Sequence, residues 1–169
     1  MQECRKVSTG VLLARGWRPL ALFLTVSFAV AIVSGQIVES SLVDWYFAIE
    51  KPVFTPSPAV FAVAWSFIYS SMAIAMWRVW SQQHRRNIQQ AVVLYHVQLL
   101  LNFVWTVLFF GFQSPGIAFA EIILLQLCNI ATALSFYKID KLAGLIFVPY
   151  ILWVSFASIL NFFIWIANY

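Results

Sequence analysis

Five stretches free of Lys, Arg, Asp and Glu follow one another along this chain, at 19–38, 52–77, 87–120, 122–137 and 142–169. An α-helix needs roughly 20 apolar residues to cross a bilayer, and each run can hold one crossing once its ends and an occasional polar residue are included. The third is too long for one crossing, and Gly111 with the Ser114-Pro115-Gly116 turn closes it. Only 9% of the 169 residues are charged, where soluble domains carry about a quarter. The reading is an all-α membrane protein, a bundle of five transmembrane helices near 18–38, 58–80, 88–110, 116–137 and 142–166. Helices rather than strands follow because backbone amides in hydrocarbon must bond within their own segment, and no run alternates polar with apolar residues as a barrel strand does.

The chain then divides into a basic tail over 1–17 and a membrane domain over 18–169, whose first connection, 39–57, covers one end. With five spans, Arg5, Lys6, Arg15, Arg18, Arg78, Arg85, Arg86, Lys138 and Lys141 fall at one face of the membrane and only Lys51 at the other. Nine against one places the N-terminus in the cytoplasm. Topology therefore explains the net charge of +4, and no nucleic-acid partner is implied. The apolar run after the tail is longer than a signal-peptide core, so the first helix is expected to stay in the protein. Cys4 in the tail and Cys128 in mid-helix are too far apart to pair, and no metal-ligand spacing, nucleotide loop or catalytic triad order is present.

Tryptophan in membranes has an ordinary use, the interfacial belt. Trp17, Trp77, Trp80 and Trp165 fall at helix ends and fit it. Trp65, Trp105 and Trp153 do not; at 1.5 Å per residue they lie about 11, 9 and 20 Å from the ends on the Lys51 face. Asn102 and Asn161 lie about 13 and 8 Å deep from the same face. In the third helix Gln98, Asn102 and Trp105 share one stripe, and in the fifth Pro149, Trp153, Ala157 and Asn161 repeat every four residues. Such amides serve equally as bonds between helices. Gathered with three indoles and Tyr150 in one half of the bilayer, they point to a cavity, because ligand sites are apolar and aromatic with a few placed polar groups.

Over that half lies the 39–57 connection, with Asp44-Trp45-Tyr46 and then Lys51-Pro52-Val53-Phe54-Thr55-Pro56-Ser57-Pro58. Three prolines stiffen it as a lid, and Pro58 suits the first turn of the second helix with Ser57 as its cap. Lys51, the lone cation on this side, is expected to pair with Asp44 or Glu50, or with an anionic ligand. Glu121 is expected to snorkel or to cap the fourth helix. It is too shallow for the mid-membrane carboxylate of a proton-coupled carrier. His96 reads as a packed residue, and Ser27, Ala31 and Gly35 as a small-residue stripe for helix packing or a homodimer.

The order Trp45-Tyr46, Lys51-Pro52-x-Phe54-x-Pro56, Phe61-x-x-x-Trp65-x-x-x-Tyr69, Asn102-x-x-Trp105 with Phe109-Phe110-Gly111, and Ala143-Gly144-x-x-x-x-Pro149-Tyr150-x-x-Trp153-x-x-x-Ala157-x-x-x-Asn161 resembles the tryptophan-rich sensory protein and translocator protein (TspO/MBR) family. The resemblance runs from about residue 20 to 168 and implies a five-helix bundle, a homodimer, and a pocket under the first connection. It implies a porphyrin ligand, protoporphyrin IX or haem, with no obligatory cofactor and no metal. The role it implies is a receptor or sensor, with transport of porphyrins or other amphiphiles as the alternative. It further implies light-dependent porphyrin degradation with Trp65 and Trp153 as the catalytic pair, and a pocket of Tyr46, Pro56, Trp65, Asn102, Trp105, Trp153 and Ala157. The setting it implies is a bacterial cell membrane, or the mitochondrial outer membrane in a eukaryote. Two departures stand out. Phe54-Thr55-Pro56-Ser57 replaces the family's Trp-x-Pro-Pro, and no basic residue follows Lys141. The second argues against sterol, leaving Leu134-x-x-Tyr137-x-x-x-Lys141 as a loose match elsewhere.

Overall fold

Each uncharged run becomes a helix whose ends are set by proline, by polar turns or by tertiary contact. The computed structural model describes residues 16–169; the basic residues Arg5, Lys6 and Arg15, and Cys4, lie outside them. The helices are α1 (Trp17–Ser41), α2 (Pro58–Trp80), α3 (Gln89–Thr106), α4 (Pro115–Ile139), α5 (Lys141–Ile146) and α6 (Val148–Asn168). α5 and α6 form one crossing broken at Phe147, where Pro149 in the first turn of α6 cannot donate the bond that would continue α5. Five spans long and apolar enough to cross a membrane result: Trp17–Tyr46, Pro58–Trp80, Gln89–Gly111, Pro115–Ile139 and Lys141–Asn168. Around the bundle the order is α1, α2, α5 with α6, α4, α3 and back to α1.

The first span runs further than the sequence suggests. α1 continues through a π-helical turn, Leu42–Tyr46, so the connection begins at Phe47 rather than at residue 39. Ser40, Ser41 and Asp44 look like the start of a loop, but Trp45 packs edge-on against Phe109 at 5.5 Å and the Ser41 hydroxyl donates to the Phe110 carbonyl at 2.8 Å. Those contacts hold the backbone wound. α3 likewise ends in a π-helical turn, Val107–Gly111.

Arg18, Arg78, Arg85, Arg86, Lys138 and Lys141 gather at the end of the bundle opposite Lys51. There Arg78 grips Asp140 through two nitrogens, Nη2 at 2.8 Å from Oδ2 and Nε at 3.3 Å from Oδ1, while Asp140 accepts the Ala143 backbone N–H at 3.0 Å and caps α5. Burial alone would raise the Asp140 carboxyl; the bonds from Ala143 and Arg78 outweigh it and hold the group below the usual carboxylate range. Next to this joint α5 presses against the end of α4. A Cβ on Gly144 would stand 2.6 Å from the Tyr137 Cβ and 2.7 Å from its Cα, so only glycine permits the approach.

The half of the bundle near this basic end is filled. Met72, Ala73, Ala75, Met76 and Val79 of α2 meet Ala91 and Tyr95 of α3, Phe136 of α4 and Phe147, all at most 1% exposed. Unbranched methionines fill the gaps between rings and alanines let the helices close.

Candidate functional site

The opposite half is hollow. A cavity of about 620 Å³ lies between α1, α2 and α3 beneath the connection, within the ~300–1,000 Å³ range of small-molecule sites. α1 contributes Phe28, Ala31, Ser34, Gly35 and Glu39, and the turn after it Tyr46; α2 contributes Phe61, Trp65 and Tyr69; α3 contributes Asn102, Trp105, Thr106 and Phe110. Pro56 closes the roof.

Of the residues singled out in the sequence, Tyr46, Pro56, Trp65, Asn102 and Trp105 line this space. Trp153 and Ala157 do not. Trp153 stands behind the α2 wall, its ring 6.5 Å from Trp65 at 87° and 5.5 Å from Phe61, and Ala157 is buried on α6. The four-residue repeat of α6 fixed their depth but left their rotation open, and the helix turns them toward the neighbouring helices.

The polar side chains serve mainly as joints. Trp105 Nε1 donates to Asn161 Oδ1 at 3.1 Å, and Asn161 Nδ2 donates to the Pro115 carbonyl at 2.8 Å, so one amide ties α3, α6 and the start of α4. Asn102 accepts from the Tyr69 hydroxyl and donates to Tyr150 Oη at 3.2 Å, making the cavity floor a bridge from α2 through α3 to α6. Gln98 donates to the Tyr95 carbonyl at 2.9 Å on its own helix and stays below the cavity. Ser34 is 7% exposed and lines the cavity, its hydroxyl beside that of Tyr69.

Ser27, Ala31 and Gly35 divide between helix packing and cavity wall. Ser27 shares a 2.8 Å hydrogen bond with Tyr95 inside the bundle, while Ala31 and Gly35 form cavity wall; a Cβ on Gly35 meets nothing within 4 Å. Small residues at four-residue spacing permit close approach or leave a void, and the sequence does not say which. With Phe28, Ser34, Glu39 and Thr106 they are among the lining residues that the motifs missed.

The roof is pinned at several points. Glu50 N–H donates to Asn168 Oδ1 and Asn168 Nδ2 donates to the Glu50 carbonyl, each at 2.9 Å, locking the connection to the end of α6. Phe54 lies on the outer side of α6, 5.9 Å from Phe163 and 6.4 Å from Phe156, so the Phe-for-Trp departure sits outside the cavity. Ser57 occupies the N-cap position of α2, yet its side chain makes no capping bond; its carbonyl accepts from Val60 at 3.0 Å.

Three charged or titratable expectations change. Lys51 pairs with neither Asp44 nor Glu50: its ammonium donates to the Tyr46 and Ile49 carbonyls at 2.6 and 2.7 Å and rides 5.0 Å above the Tyr46 ring. The carbonyls at the end of the first span have no intrahelical partners, and a lysine one turn on satisfies them. Glu121 lies beyond the first turn of α4 and caps nothing; both of its oxygens are buried with no partner among the described residues. His96 is exposed on α3 and bonds the Val92 carbonyl at 2.8 Å. Trp17 is 74% exposed, and Trp165, 37% exposed, stacks on Phe119, as belt residues do.

The description of one family model, the TspO/MBR family, matches residues 23–166. The chain belongs to the TspO/MBR family. It is similar to the tryptophan-rich protein TspO of Archaeoglobus fulgidus, 36% identical over 145 residues that cover 86% of this chain and 91% of the relative. It is also similar to the translocator protein of Sus scrofa, 31% identical over 159 residues, 92% of this chain and 94% of the relative. The tryptophan-rich sensory protein of Cereibacter sphaeroides is 36% identical over 119 residues, 70% of this chain and 73% of the relative. As in the TspO/MBR reading of the sequence, this is a multi-pass membrane protein, and its bilayer partner follows from the five spans.

Proposed function

We propose that this TspO/MBR protein is a membrane receptor and sensor for flat aromatic amphiphiles of the tetrapyrrole class, protoporphyrin IX or haem. The observation that carries the proposal is the cavity itself: indoles and phenyl rings on two sides, a stiff roof of Pro56 and Tyr46, and a few polar side chains, Ser34, Asn102 and Thr106. Such walls offer faces for a macrocycle to stack on, and few polar groups to fix its orientation. Trp65 and Trp105 are the indoles that face the ligand, and Trp153 backs Trp65. Light-dependent degradation would then begin at Trp65. The basic end faces the cytoplasm and the roofed end the opposite side, a reading supported by the asymmetry of Lys and Arg.

The test is titration of the purified protein with protoporphyrin IX, following tryptophan quenching in the dark and porphyrin absorbance under light. Trp65→Phe is expected to remove most of the quenching and slow the decay, and Trp153→Phe to weaken both less. Quenching and decay unchanged in Trp65→Phe would refute the assignment.

A further inference from the structure

The basic end of the bundle is filled inside but grooved outside. At the corner where α2 passes to α3, a groove of about 400 Å³ is lined by Trp80, by Gln83, Arg86 and Asn87 of the connection, and by the start of α3 as far as Val93. It shares no lining residue with the cavity under the roof. The span before it ends at Trp80 and the span after it begins at Gln89, so the groove straddles the membrane boundary. Gln83, Arg86 and Asn87 lie beyond the apolar spans, whereas Val92 and Val93 lie within one. Val93, Val97 and Leu100, all exposed, carry the apolar side onward along one face of α3. Polar groups outside the span and an apolar track inside it suit an amphiphile lying along the helix, its head at the surface and its tail in hydrocarbon.

Charge decides which head. Among the described residues Arg18, Arg78, Arg85, Arg86, Lys138 and Lys141 stand at this end against one acid, Asp140, leaving it formally positive by five. Asp140 is taken by Arg78 and the Ala143 N–H, so no carboxylate there neutralises Arg86. Arg86 Nη1 donates to the Lys138 carbonyl at 2.7 Å, which fixes the guanidinium between two connections; its other N–H groups make no bond among the described residues. A guanidinium has five donors in a fork that matches phosphate oxygens. In the orientation proposed for the chain, this end meets the cytoplasmic leaflet, where anionic lipids concentrate and basic pockets between helices take their headgroups.

We propose that this groove binds a phospholipid with an anionic headgroup from the leaflet at the basic end. Arg86 takes the phosphate, the Gln83 and Asn87 amides flank the head, and an acyl chain follows Val93, Val97 and Leu100. The site is independent of the tetrapyrrole reading of the roofed cavity.

Lipid counting by native mass spectrometry provides the test. The full chain in neutral detergent is titrated with phosphatidylglycerol and with phosphatidylcholine of the same acyl chains. The wild type is expected to take one phosphatidylglycerol more tightly than phosphatidylcholine. Arg86→Gln lowers the phosphatidylglycerol affinity by about threefold to tenfold, the scale of one basic residue at an anionic surface, and leaves phosphatidylcholine unchanged. Arg85→Gln removes an equal charge from an exposed residue outside the lining and has the smaller effect. Val93→Trp keeps every charge, fills the apolar side and weakens both lipids. All three sites are exposed, so the variants are expected to keep the wild-type thermal midpoint without lipid. Unchanged phosphatidylglycerol binding in Arg86→Gln or in Val93→Trp would overturn the inference. Equal losses in Arg85→Gln and Arg86→Gln would also overturn it, leaving only diffuse attraction to a basic surface. Displacement of the bound lipid by soluble glycerol phosphate would do the same, because the groove would then be a site for free anions.

Discussion

The two halves of this bundle are built from the same apolar residue classes and pack differently. Near the basic end Met72, Met76, Ala73, Ala75 and Ala91 close around Tyr95, Phe136 and Phe147 with at most 1% exposure. Near the roofed end Phe61, Trp65, Trp105 and Phe110 surround about 620 Å³ of space. Methionine bends into gaps and alanine removes them, whereas broad rigid rings facing small residues such as Ala31 and Gly35 leave a slot. A pocket in a membrane bundle thus arises from ring and small residues facing each other, and stability is held by the half that lacks that pairing.

The largest break in this contrast is expected at Gly144. Gly144→Ala forces a Cβ onto Tyr137 backbone and should cost about 3 kcal/mol, read as a drop in thermal midpoint in detergent; an unchanged midpoint would remove the close α4–α5 approach from the account. Asn161→Ala, which orphans Trp105 Nε1 and removes the side-chain bond to the Pro115 carbonyl, is expected to cost about 2 kcal/mol. It should also loosen the Trp105 wall, visible as a shifted tryptophan emission.

Asp140 supplies a pH-dependent element to the closed half. Its folded pKa lies below the ordinary 3.8, so its contribution is fully present above that ordinary value and is lost as pH falls through the lowered one. Asp140→Ala removes the α5 cap and the Arg78 bridge for about 1–2 kcal/mol, and should flatten the acid limb of the stability profile. The smallest effect belongs to the roof: Asn168→Ala frees Glu50 at an exposed site, changing stability by about 0.5 kcal/mol or less. Faster ligand release in stopped-flow mixing is its expected signature.

Much of the fold was legible because five uncharged runs leave a chain no other way to satisfy its backbone in lipid. The end of the first span was not. Ser40, Ser41 and Asp44 argue for a loop, and only packing of Trp45 on Phe109 winds them into the helix. Within the site, depth was legible and rotation was not: Trp65 and Trp105 reach the cavity while Trp153, the deepest of the three by residue count, turns to the back of Trp65. Lys51 shows a third limit. Sequence offers carboxylates as partners, but the open carbonyls at the end of a helix are closer.

The most direct test of the contrast fills the hollow half and leaves the closed half alone. Gly35 has open space where a side chain would grow, and replacing a mid-helix glycine does not weaken the helix. Protoporphyrin IX is titrated into Gly35→Phe and the wild type, with thermal midpoints recorded on the same samples. The account predicts an unchanged or raised midpoint with affinity lower by about tenfold or more, a loss near 1.4 kcal/mol. Equal affinity in the two proteins would contradict it, because the ligand would then bind somewhere other than this cavity.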